Sequence, residues 1–142
     1  MITTTEIDVR YPDCDMMGAA HHSVYAVWFE AARMDFFEAM GFSFRDMAAL
    51  GINPPLVDLH VQYRAPVRYP GRVRIETRES FFAPKKLQLC YALYFEDKLC
   101  AEAETFHIWT GPDGRSLNME EHHPAVYAKI AAAYQKGEEP HD

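Results

Sequence analysis

The segment Arg10–Arg33, RYPDCDMMGAAHHSVYAVWFEAAR, gathers side chains capable of chemistry within a short span. Asp13 and Asp15 flank Cys14 in a stretch that Pro12 and Gly18 keep irregular, and His21-His22 follows where a helical pattern begins. Two carboxylates ahead of a helix have an ordinary use, because Asp caps turns by accepting backbone N–H groups. They also have a chemical one. A carboxylate beside the free N–H groups at the positive end of a long helix sits next to a ready anion site or oxyanion hole. The residues alone leave both readings open. Cys14 is a poor nucleophile, since its two acidic neighbours oppose thiolate formation. Asp-x-Asp-x5-His-His offers acceptable donor atoms but not an established ligand spacing, so no metal is expected. The His22 imidazole is expected to pack or hydrogen-bond at the helix start rather than act as a base.

The elements that must position these residues are legible in the periodicity. Thr3–Tyr11 alternates at Ile7, Val9 and Tyr11, which predicts a strand. A helix is predicted from about Ser23 to Met40, capped near Ser23 or His22 and ended by Gly41. Val24, Val27, Trp28, Ala31, Met34, Phe36 and Phe37 cover more than a narrow stripe, so this helix is expected to be buried on most sides. Glu30 and Arg33 read as an i,i+3 pair. One or two further helical turns are expected over Ser43–Leu50. The period then changes to two, with strands predicted at Leu56–Ala65, Val73–Phe82, Leu87–Phe95 and Leu99–Trp109. Leu87, Leu89, Tyr91, Leu93 and Phe95 should share one face. The short connections VRYPGR, APKK and EDK favour antiparallel neighbours. A final amphipathic helix is expected over His123–Gln135, and GEEPHD reads as a frayed tail. The simplest packing is α+β, one long buried helix wrapped by a curved five-stranded antiparallel sheet.

Composition limits what such a molecule does. The 142 residues carry 14 Lys+Arg against 21 Asp+Glu, a net charge of −7. That length suits a single domain, expected over 1–136, and the acidic balance argues against a nucleic-acid partner. Three cysteines, Cys14, Cys90 and Cys100, make no closed disulfide framework. With no N-terminal apolar segment and no long apolar run, the expectation is a cytoplasmic protein without a membrane span.

Asp13-x-Asp15-x-x-Gly18, His22, Tyr25, Trp28, Glu30 and Arg33 together resemble the 4-hydroxybenzoyl-CoA thioesterase family. Tyr63-Arg64-Ala65-Pro66 with Gly71, Ala101–Thr105 and Gly114-Arg115 extend the resemblance to roughly residues 5–130. The resemblance implies a hotdog fold and hydrolysis of an acyl- or aryl-CoA thioester. It makes the second Asp, Asp15, the catalytic carboxylate, as nucleophile or general base. It also makes the backbone N–H seven residues later, at His22, the oxyanion donor. Gly18 and Tyr25 are expected near the substrate, and no metal or organic cofactor is implied. A homodimer or homotetramer is implied, with substrate at the interface. Lys85 and Lys86, with Arg64 as a weaker choice, are the candidate contacts for the CoA phosphates, because a −7 protein needs a local basic patch to hold them; the two lysines fit equally a solvated turn that discourages edge pairing. Two other readings fit the same residues, a hydratase or dehydratase on acyl thioesters and a non-catalytic acyl-CoA binding module. Ala19-Ala20 and Met16-Met17 depart from the family pattern, beside the carboxylate where an acyl pocket would take its shape.

Overall fold

The computed structural model describes residues 1–136. The expected tail 137–142 lies outside the described residues. Strand β1 (Ile2–Asp8) is followed by a 3-10 turn (Tyr11–Asp13), helix α1 (His22–Met40) and helix α2 (Phe44–Leu50). Four strands come next, β2 (Leu56–Tyr63), β3 (Arg72–Ala83), β4 (Lys86–Phe95) and β5 (Lys98–Ile108). A single turn, α3 (Met119–His122), and helix α4 (Pro124–Lys136) complete the order. The strands form one antiparallel sheet in the order β1-β3-β4-β5-β2. This is the expected α+β, hotdog arrangement.

Several expectations change in detail. β1 stops at Asp8, and Tyr11 swings out to 76% exposure because Pro12 turns the chain into the 3-10 turn. The VRYPGR connection does not join neighbours: β2 pairs with β5 at one edge, while β3 lies three strands away between β1 and β4. Three strand spacings amount to ~14 Å, within the roughly 26 Å that residues 64–71 can span. A short link is therefore compatible with strands that do not touch. Helix α1 buries only one side in the protomer. Tyr25, Trp28, Phe29, Ala32, Phe36 and Phe37 face the sheet, whereas Val27 and Met34 are 65% and 47% exposed.

The sheet's inner face follows from the period of two. Val73 and Ile75, Leu87 through Phe95, and Ala101 with Ala103 alternate inward, and all are buried. At Gly71 the backbone passes so close to Phe95 that a Cβ would sit 2.5 Å from the ring, so only glycine fits there. Helix α1 ends as expected at Gly41, in the left-handed region, and Lys129 of α4 donates to the Gly41 carbonyl at 2.9 Å. Thr5 of β1 donates to Asp35 at 2.6 Å, pinning the helix to the opposite edge from β2.

The expected Glu30–Arg33 pair does not form. Glu30 stays exposed, while Arg33 turns inward and donates to the Tyr91 hydroxyl at 3.3 Å. From there a hydrogen-bond chain crosses the core: Tyr91 Oη to Thr105 Oγ1, 2.7 Å, then His107 Nε2, 2.8 Å, then His107 Nδ1 to the Pro54 carbonyl, 2.9 Å. A carbonyl only accepts, so Nδ1 carries the imidazole proton and Nε2 accepts from Thr105. Every hydroxyl then donates in one direction, from Arg33 toward Pro54. Burial lowers the His107 pKa to about 4, so the ring is neutral at physiological pH.

Candidate active site

Residues 13–21 fold into a tight hairpin that packs the two aspartates against the start of α1. The His21 N–H donates to the Asp13 carbonyl at 2.9 Å, Cys14 bridges Ala20, and the Asp15 N–H donates to the Ala19 carbonyl at 2.9 Å. Gly18, at φ +79°, turns the tip, where its N–H donates to the Asp15 carbonyl at 3.0 Å. The hairpin is anchored below by the Ala20 N–H on the Val67 carbonyl, 2.8 Å, and by a bridge between Ala19 and Arg68.

The two carboxylates end in different environments. Asp13 is buried at 3% exposure, and both its oxygens are used, by the Arg10 backbone N–H at 2.8 Å and the Arg10 guanidinium at 2.9 Å. Burial alone would raise its pKa, but the Arg10 hydrogen bonds and charge outweigh that and hold it below the usual carboxylate value. Asp13 is a structural ion. Asp15 is exposed, and one oxygen, Oδ1, accepts the N–H groups of Met17 at 2.8 Å and Ala19 at 3.2 Å. The turn-making role of an aspartate is thus realised by Oδ1. Oδ2 has no hydrogen-bond partner among the described residues.

Helix α1 begins immediately beyond. His21 occupies the N-cap without a side-chain cap bond, in place of the expected Ser23 or His22. The N–H groups of His22 and Ser23 have no acceptor among the described residues. They are the orphan donors of the first turn, on which the helix dipole concentrates positive potential. The His22 imidazole is exposed, but its carbonyl accepts the Tyr63 hydroxyl at 3.0 Å. Tyr63 ties the edge strand β2 to the first turn of the helix. It was visible in sequence only as part of a longer run, with no signal for this contact.

The other expected site residues are distributed unevenly. Tyr25 lies in the wall behind the first turn at 3% exposure, its ring edge-on to Tyr63 at 4.9 Å and tilted against Trp28 at 5.2 Å. Burial pushes its phenol up to about 12. Arg64 points to the sheet face away from α1, where it pairs with Glu102 and donates to Gln62 at 3.0 Å. Lys85 and Lys86 occupy the β3–β4 turn as expected, but at the other end of the sheet. β4 starts at Lys86 and reaches Phe95 beside Gly71, and ten residues of strand span roughly 33 Å. One protomer does not bring these lysines to Asp15. Arg68, which the sequence did not single out, does lie at the site: its Nη1 donates to the Met17 carbonyl at 2.9 Å. Among the described residues, no three His, Cys, Asp or Glu side chains are grouped to hold a metal ion. Nor, among the described residues, is any helix long and apolar enough to cross a membrane.

One antiparallel sheet of five strands wrapped on one long helix is the hotdog architecture. Comparison with known proteins agrees with that fold and gives the family. The model of the thioesterase-like superfamily matches residues 9–132. The chain belongs to that superfamily and is, by family, a thioester hydrolase. A Bacillus subtilis protein provisionally named as the acyl-CoA thioesterase YneP is 37% identical over 108 residues, covering 75% of this chain and 78% of its own. The DHNA-CoA thioesterase of Staphylococcus aureus is 31% identical, with a TM-score of 0.87 over 96% of this chain and 95% of that one. A Thermus thermophilus protein of unassigned function, TT1821, is 34% identical, with a TM-score of 0.85 over 94% of this chain and 98% of that one.

Proposed function

We propose that the protein hydrolyses an acyl- or aryl-CoA thioester to a carboxylate and free CoA, with Asp15 as the reacting carboxylate. The observation that carries this is Asp15, held through Oδ1 with Oδ2 unbonded among the described residues, in the hairpin that leads directly into the orphan N–H groups of His22 and Ser23. Asp15 either attacks the carbonyl carbon to give a mixed anhydride, which water then opens, or draws a proton from an attacking water. In both routes the carbonyl oxygen gains negative charge beside the His22 N–H, and the C–S bond breaks to release the CoA thiol. Removing one such donor elsewhere raises the barrier by ~2.7–4 kcal/mol. The reading requires no metal or organic cofactor. Asp15→Asn is expected to lower kcat at least ~10²-fold, measured as thiol release from a panel of acyl-CoA substrates. Undiminished thiol release by the variant would sink the assignment, and an enoyl absorbance change without free thiol would point to hydratase chemistry.

The same reading extends to a homodimer through β2. Its outer edge pairs with no strand among the described residues, seven of its eight residues are exposed, and Leu56, Val57, Leu59 and Tyr63 are among them. An open apolar edge is a template for another strand, and a two-fold axis would pair β2 antiparallel with its copy. β4 runs parallel to β2, so this operation carries the second copy's Lys85 and Lys86 to the Asp15 end of the first. They would sit about three strand spacings, ~14 Å, beyond the shared edge, where a CoA nucleotide could extend. Light scattering is expected to report a dimer; a fully active monomer would refute the pairing.

A further inference from the structure

Met17 lies between a carboxylate and a guanidinium. Its N–H, in the Met16–Met17 peptide, donates to Asp15 Oδ1 at 2.8 Å, and its carbonyl, in the Met17–Gly18 peptide, accepts Arg68 Nη1 at 2.9 Å. Both contacts are charge-assisted. The N–H of the Met17–Gly18 peptide donates to the Asp15 carbonyl at 3.0 Å, so the Arg68 bond polarises the peptide that closes the Asp15 turn. Arg68 is also fixed to the loop by its backbone bridge to Ala19, and its Nη1 would stand 3.6 Å from any Cβ placed at Gly18. The guanidinium therefore braces the loop at Met17 and Gly18. Among the described residues it forms no ion pair with Asp15 itself, so it acts through the Met17 backbone.

We infer that Arg68 is a positioning residue for the hydrolysis, holding the Met17 backbone so that Asp15 Oδ1 stays bound and Oδ2 stays free to react. This rests on the assignment of Asp15 as the reacting carboxylate. A bland alternative is that Arg68 merely stiffens a surface loop. Another is that it contacts a CoA phosphate. The three differ in what they move. A positioning role lowers kcat and leaves KM in place, because the geometry it enforces matters in the transition state. A phosphate contact raises KM and is lost on an acyl-pantetheine substrate. A loop brace changes the melting temperature alone.

The test is a cycle of Arg68→Ala, Asp15→Asn and the double variant, with Arg68→Lys as the conservative arm, each assayed for kcat, KM and melting temperature. Arg68→Ala is expected to lower kcat about 10-fold at unchanged KM, on acyl-CoA and acyl-pantetheine alike. Arg68→Lys, which can still donate to one carbonyl, should return to within roughly 3-fold of wild type. The double variant should be no slower than Asp15→Asn, since Arg68 works only through that carboxylate. A rise in KM alone, additive losses in the double variant, or a kcat loss that lysine does not rescue would overturn the inference while leaving Asp15 in place. An Asp15→Asn variant with full activity would overturn both.

Discussion

Asp13 and Asp15 are two residues apart and do opposite work, and local bonding decides which does which. Asp13 spends both oxygens on Arg10 in a buried position, whereas Asp15 spends one on its own turn and keeps the other. Asp13 should therefore matter for stability rather than turnover. Asp13→Asn loses a charge-assisted pair and is expected to cost about 1–2 kcal/mol, roughly 2–8 °C in melting temperature, with kcat close to wild type. The sign with pH follows from the direction of the shift. A carboxyl held below its unfolded value stabilises the fold above that value and loses the contribution as pH falls through its folded pKa. The gap between wild type and variant should close as the pH falls through the folded pKa of Asp13, below the usual carboxylate range, and a gap that persists there would argue against the Arg10 pair as the cause. The sequence could not separate the two aspartates by itself, because both fit the same spacing; only the resemblance singled out Asp15.

At the scale of elements, most boundaries were readable and the failures share a cause. The strands β3 to β5 were legible because Leu87, Leu89, Tyr91, Leu93 and Phe95 keep a strict period of two over one buried face. The Gly41 and Gly51 stops were legible because both residues end helices in the left-handed region. What could not be read was anything set by a partner distant in sequence. Arg33 pairs in period with Glu30, yet Tyr91 takes it inward from 58 positions away. Tyr63 gives no local hint that its hydroxyl holds the first turn of α1. The strand order likewise escaped, since link length limits reach but does not say which strand is reached. The apolar surplus on α1 was read as core, and part of it, Val27 and Met34, lies on the surface of the protomer.

For the molecule as a whole, two buried groups set the pH range of stability from opposite directions. Burial raises Glu79 to about 8, with the N-terminal ammonium opposing, and neither of its oxygens has a hydrogen-bond partner among the described residues. Burial lowers His107 to about 4. Between about 4.5 and 6.5 the folded chain holds a proton on Glu79 and none on His107, and the unfolded chain holds the reverse. The proton counts match, so stability should be flat there. From about 6.5 to 8 only the folded Glu79 is protonated, and stability should fall by up to about 1.4 kcal/mol per pH unit. Glu79→Gln should remove this fall and replace the plateau with a rise from about pH 4 to 6.5, the His107 contribution alone. Denaturant melts across pH that show the same profile for both proteins would disprove the account.

The strand order also dictates a sequence of assembly. β3, β4 and β5 are joined by tight turns and pair with the next segment of chain, so a three-stranded meander can form from local contacts early. β2 is made before them but must wait for β5, because Leu56 pairs with His107 and Tyr63 with Ala101, roughly 40–50 residues later. Until then its apolar side chains have no strand to rest on, during synthesis as well as refolding. The Tyr63 hydroxyl can reach the His22 carbonyl only once that edge is laid down. The end of the molecule that carries Asp15 is thus completed late, after the frame that supports it.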